Sequence, residues 1–142
     1  MHKYAEKGGI DMGREIKFRA WDNKREKYFE PVYEAYAGRL EELLLMPCGQ
    51  LCMRDACNHI YGESTFPYRF IVEQYTGLKD RHGKEIFEGD LVQHWDEGTT
   101  WEVAFEDGCF MGMYMEEQDY LLADICADVE VVGNVHEGVK EA

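Results

Sequence analysis

Three features of this chain predict a mainly β fold, β with minor α. Short runs of alternating apolar and polar side chains recur along it, glycine-containing turns separate them, and one stretch, residues 117–124, is assigned to helix. The turn signal is densest in residues 74–92, where Gly77, Gly83 and Gly89 recur at six-residue spacing. Asp80 to Gly83 and Glu88 to Asp90 have the chemistry of tight turns, because glycine accepts positive φ and aspartate bonds nearby backbone amides.

Residues 1–13 lack periodicity and contain Gly8-Gly9, so a flexible extension is expected, with Met12 a candidate natural start. From residue 15 to 21, Ile16, Phe18 and Ala20 alternate with Lys17, Arg19 and Trp21, which predicts a strand. Asp22-Asn23-Lys24 supplies the turn of a hairpin, and residues 27–32 return. Residues 33–46 fit two templates. Leu40, Leu43 and Leu44 match a helical stripe, but the turn-like Pro47-Cys48-Gly49 favours strands over 43–46 and 51–54. Residues 55–67 read as a loop and 68–75 as a strand.

Beyond the central turns, residues 90–95, 101–105, 109–115 and 129–136 read as strands, with the acidic start of 117–124 suiting a helix dipole. Short strands with glycine turns and one helical turn resemble a small SH3-like barrel. The expected organisation is therefore the extension 1–13, a β-rich hairpin region over 14–73, and a C-terminal SH3-like barrel region over 74–142 packed with it.

The 142 residues and 45% hydrophobic content suffice for one compact domain or two small halves. The longest apolar run, residues 43–46, is far short of the roughly 20 residues of a membrane-spanning helix. Five cysteines cannot all pair within one chain, and free thiols in a cytoplasmic protein are expected. Charge is uneven. Residues 1–71 carry 11 acidic and 11 Lys/Arg residues, residues 72–142 carry 18 and 4, and no Lys or Arg stands between Lys84 and Lys140. A surface so acidic repels phosphate and suits a basic partner or a purely solubilising face.

Cys48, Cys52, Cys57 and His59 form the most metal-like set, since zinc takes four thiolate or imidazole ligands. All four fall within twelve residues and lack a second knuckle, so ordinary thiols are the competing reading and no cofactor is expected. Cys57 with His59, or Cys109 with His94, could supply a nucleophile and base, but no nucleophile elbow surrounds them. The alternating Met111, Met113 and Met115 could form a contact strip or simply core.

Three segments carry a family resemblance. They are Arg14-Glu-Ile-Lys-Phe-Arg-Ala-Trp-Asp22, the central Tyr75-Thr-Gly-Leu-Lys-Asp80 running on to Gly83-Lys-Glu-Ile-Phe-Glu-Gly-Asp90, and Val131-Val-Gly-Asn-Val-His-Glu137. Together they resemble the opening, signature and closing strand of the YopX-like proteins of bacteriophages and prophages, while residues 48–68 have no counterpart in that pattern. The matching residues Gly77, Asp80, Gly83, Gly89, Asp90, Gly133 and Asn134 read as a fold signature. The resemblance implies a phage-encoded cytoplasmic protein and brings no catalytic residue with it.

The first expectation is a non-enzymatic, oligomeric protein-interaction module, meeting a basic host or phage protein through a surface that includes Glu116, Glu117 and Asp119. The alternative is a nucleic-acid-associated module in which Trp21 or Tyr28 stacks on bases beside Lys17 and Arg19. A small hydrolase or metal enzyme stands third.

Overall fold

A computed structural model of the protein describes residues 15–34, 37–114 and 119–140. The chain is mainly β, with one short α-helix among the described residues, and it divides into two compact units, Arg19–Val72 and Met1–Phe18 with Glu73–Ala142.

In the unit Arg19–Val72, β1 (Phe18–Asp22) and β2 (Lys27–Tyr28) form an antiparallel hairpin with Trp21 opposite Tyr28. The turn closes because the Glu26 amide donates to the Asp22 carbonyl at 2.8 Å and the Asp22 carboxylate accepts from the Lys24 amide at 2.9 Å. The returning strand is shorter than the expected 27–32. Pro31, which has no N–H to give a ladder, separates it from β3 (Val32–Glu34), which pairs with a different neighbour.

Strands β3, β4 (Arg39–Leu45), β5 (Leu51–Arg54) and β6 (Ile60–Gly62) make an antiparallel meander. The ambiguous leucine run is thus a strand, with Leu43 opposite Met53 and Leu45 opposite Leu51. The expected loop over 55–67 is corrected in part. Ile60 and Tyr61, both β-favouring, pair with Arg54 and Met53, and a 3-10 turn follows at Glu63–Thr65.

Strand β7 (Phe70–Lys79) continues into the second unit and pairs there with β8 (Glu85–Phe87), Tyr75 opposite Phe87 and Lys79 opposite Glu85. The register slips between those pairs, at a bulge containing Gly77, where the Thr76 hydroxyl donates to the Ile86 carbonyl at 2.7 Å. Asp80 holds the following turn. Its Oδ1 accepts from the His82 and Lys84 amides, each at 2.9 Å, and its Oδ2 from the Val131 amide at 3.0 Å.

Burial works against ionisation of Asp80, but these three backbone donors outweigh it and hold its carboxyl below the usual aspartate range. A depressed carboxylate stabilises the fold above its unfolded-state pKa, and that contribution is lost as pH falls through the folded one. Asp80→Asn keeps one acceptor oxygen but loses the charge, so a loss of about 1–2 kcal/mol at neutral pH is expected. Urea unfolding at pH 7 and pH 3 checks this, since the difference must shrink at the acid end.

The larger sheet is antiparallel and built from β9 (Asp90–His94), β10 (Thr100–Glu106), β11 (Cys109–Met113), β12 (Tyr120–Leu121), β13 (Val129–Asn134) and β14 (Gly138–Val139), in the order β12-β11-β10-β9-β13-β14. It curls as a half-barrel, aided by a register shift between Val131 and Gly133. Alternation along the strands sends Val92, Trp101, Val103 and Val129 inward to join Ile86 and Leu122 in the core.

The helix is placed differently from the expectation over 117–124. Residues 117 and 118 lie outside the described residues, Tyr120 and Leu121 extend along β11, and α1 covers only Leu122–Ile125, followed by a 3-10 turn at Cys126–Asp128. Gly112 makes room for it. A side chain there would come within 2.9 Å of the Ile125 Cδ1.

Candidate interaction surface

The acidic residues of the second unit fall into two sets: Glu73, Glu85, Glu130 and Glu137 are paired with His or Lys and Asp80 and Asp90 are buried, whereas others stand exposed. Asp96, Glu97, Glu102, Glu106, Asp107, Asp119, Asp124 and Asp128 are all exposed, and among the described residues none of these eight takes part in an ion pair. Arg81, a cation of this unit, sits instead over the exposed Trp95 ring at 5.0 Å, with His94 stacked on the same indole.

A groove of about 640 Å³ opens where the β9–β10 loop meets the ends of β11 and β12. Glu97, Gly98, Thr99 and Thr100 form its rim, and Trp101, Tyr114 and Tyr120 supply aromatic wall. The loop is pinned. The Gln93 side-chain Nε2 donates to the Gly98 carbonyl at 3.2 Å and the Thr100 hydroxyl oxygen at 3.3 Å, and the His94 backbone amide donates to the Thr99 carbonyl at 2.8 Å. His94 Nδ1 accepts from the Asp96 and Glu97 amides, which places the proton of a neutral ring on Nε2. Trp101 and Tyr120 meet edge to face at 5.9 Å, and Tyr120 remains 41% exposed.

Two further polar arrangements are internal. Glu73 Oε2 and His136 Nε2 lie 2.8 Å apart with both side chains nearly buried, and the Glu73 carboxylate packs on Gly89. In the other unit Arg69 grips Asp22 with two hydrogen bonds, Nε to Oδ1 at 3.1 Å and Nη2 to Oδ2 at 2.9 Å. Next to Arg69, Tyr68 is 95% exposed at a φ of 59°, its carbonyl held by the Asn23 side-chain amide at 3.0 Å. A bulky side chain seldom adopts that backbone.

The sequence-derived candidates fall unevenly on this geometry. Cys48 and Cys57 are exposed in separate turns, Cys52 is buried on β5, and His59 lies beside Asp55 and Tyr61. Among the described residues no group of three or more His, Cys, Asp or Glu could hold a metal ion, so the set is not assembled.

Of the nucleic-acid candidates, Trp21 is only 6% exposed and packs edge to face on Tyr28 at 5.1 Å, while the Arg19 guanidinium covers the Tyr28 ring at 4.3 Å. Lys17 pairs with Glu85 and with Glu15. The Glu85 hydrogen bond is the main reason its pKa is raised. Asp119 is exposed beside Tyr120; Glu116, Glu117 and Met115 lie outside the described residues.

The signature residues have turn and packing roles. Asp90 Oδ2 accepts from the Phe87 amide at 2.8 Å. Asn134 Oδ1 accepts from the His136 and Glu137 amides, each at 2.9 Å. Gly133 lies so close to β14 that a Cβ would come within 2.9 Å of the Val139 Cα. Sequence reasoning missed the groove, because its three aromatic residues come from separate segments and only the strand registers bring them together.

A mainly β protein with an aromatic-walled groove on its C-terminal unit is the class that this fold and site define. The family model for the YopX protein matches residues 17–140, and the chain belongs to that family. A similar solved structure is the crystal structure of protein EF1440 from Enterococcus faecalis, at 24% identity and a TM-score of 0.56, covering 88% of this chain and 96% of that one; the likeness extends to the fold. No curated protein matches the sequence.

Proposed function

We propose that this protein is a non-enzymatic, oligomeric protein-interaction module of phage or prophage origin, acting in the bacterial host cytoplasm and presenting its acidic face to a basic host or phage protein. The observation that carries this reading is the set of eight exposed carboxylates of the second unit that have no ion-pair partner among the described residues. Charges left unneutralised across one unit create a field that attracts a basic surface and speeds its encounter. In the other unit, Tyr68 is separately exposed, an aromatic of the type enriched at protein interfaces. The nucleic-acid alternative draws less support, since Trp21 and Tyr28 are engaged with each other and with Arg19.

The test is capture of partners from host lysate with nuclease present, repeated with the triple variant Asp119→Lys, Asp124→Lys, Asp128→Lys. A stoichiometric protein that survives nuclease is expected to bind the variant at least about tenfold more weakly and to lose affinity with rising salt. Equal binding by a variant with unchanged circular dichroism rejects the acidic face, and recovery of nucleic acid alone transfers the function to the alternative. Light scattering at micromolar concentration checks self-association, which a monomer at every concentration refutes.

A further inference from the structure

The groove of the second unit has features that a merely solubilising surface does not need. It combines a cavity, two aromatic rings held edge to face, a third at its wall, and one carboxylate at the rim, Glu97, with no ion-pair partner among the described residues. An aromatic face attracts a cation through its quadrupole, by about 0.5–1 kcal/mol at exposed sites and more when the cation is desolvated. A carboxylate beside such a face adds a charge-assisted hydrogen bond, which is strongest when a planar guanidinium meets it. The rim is also preorganised. Gln93 and His94 hold residues 96–100 by the hydrogen bonds described above, so a ligand need not order the loop.

Resting on the reading of an acidic interaction module, we propose that this groove is a receptor for a single cationic side chain, arginine in preference to lysine, from an extended basic segment of the partner. The guanidinium lies against the exposed ring of Tyr120, which the buried Trp101 props edge to face, and pairs with Glu97, while the exposed carboxylates of the unit steer the segment in. Charge complementarity selects this occupant. Among the described residues no lysine or arginine of the chain pairs with Glu97.

The probes are a capped Gly-Ser peptide carrying three arginines and the same peptide with citrulline in their place, titrated calorimetrically into the full chain. Binding of the arginine peptide alone is expected, weakened at least about fivefold by Glu97→Gln and by Tyr120→Ala, the equivalent of about 1 kcal/mol. Asp107→Asn, at the far end of β10, removes the same charge and keeps a residue tolerant of its φ of 51°, so less than about a twofold change is expected there.

Equal weakening by Glu97→Gln and Asp107→Asn overturns the groove but leaves a diffuse acidic surface standing. Citrulline binding as tightly as arginine overturns the cation, and no binding of either peptide overturns the receptor. Glu97→Gln carries the test even if Tyr120→Ala unfolds.

Discussion

Gly89→Ala is expected to destabilise the protein by about 3–5 kcal/mol, a drop of roughly 10 °C or more in melting temperature for a chain of this size. Gly89 sits at a φ of +83°, where an alanine is strained by about 1–2 kcal/mol. Most of the destabilisation is steric. A Cβ would stand 2.9 Å from the Glu73 carboxyl carbon and closer still to one of its oxygens, the same oxygen that lies 2.8 Å from His136 Nε2. Either the carboxylate is displaced from its imidazole partner inside the fold or the backbone moves.

The backbone is poorly placed to move, because the Gly89 amide donates to the Val103 carbonyl and its own carbonyl accepts from the Val135 amide, both at 2.8 Å. Gly83→Ala is the control. Its φ is +82° but nothing lies within 4 Å of the added methyl, so only the conformational cost of about 1–2 kcal/mol is expected. Thermal melts of the two variants giving equal losses would refute the close-approach argument. In the double variant Glu73→Ala with Gly89→Ala the losses should sum to less than their parts, because the clash is gone.

This contrast indicates what in the fold was legible beforehand. Turn chemistry is local, so Asp80, Gly83, Gly89 and Asp90 could be read directly, and each bends the chain or caps a turn where it stands. The strands of the larger sheet were legible from alternation, because one face is buried and the other wet.

Where that asymmetry fades, reading failed. The residues of β4 are nearly all half-buried, leaving helix and strand templates to compete, and β6 is a three-residue strand whose only signal is Ile60-Tyr61. The helix was misplaced for a tertiary reason, since Tyr120 and Leu121 gain a pairing with β11 that local propensity does not contain. The groove draws on residues up to 23 positions apart and the Glu73–His136 contact on residues 63 apart, and no short-range pattern encodes such meetings.

The Asp22–Arg69 pair, 47 residues apart in sequence, was invisible for the same reason and leads to the second large effect. Arg69→Met is expected to cost about 3–5 kcal/mol at pH 7, because it strands a carboxylate whose side chain is 1% exposed. A second acid suffers as well. Glu41 Oε2 lies 3.9 Å from Arg69 Nη2 and accepts no hydrogen bond among the described residues, so without Arg69 the carboxylate is left with the Arg25 contact that its other oxygen makes.

The pH dependence identifies the mechanism. In the native protein burial opposes ionisation of Asp22, but the Arg69 hydrogen bonds, the backbone donors Lys24 and Arg25 and the guanidinium charge outweigh it and hold the carboxyl below its ordinary value. Its contribution to stability is therefore fully present above the unfolded-state pKa, about 4, and is lost as pH falls through the lower folded value. Removing Arg69 leaves the burial penalty opposed only by two amides and a more distant field, so protonating Asp22 then relieves the variant instead of weakening it. The gap between native and variant unfolding free energies should accordingly be widest near neutrality, begin to narrow where the variant's Asp22 takes up its proton above the ordinary aspartate range, and go on narrowing as pH falls below about 4. Denaturant titrations from pH 7 to pH 3 measure this directly, and a gap that stays constant over the range means that Arg69 acts by packing on Phe70 and not by its charge.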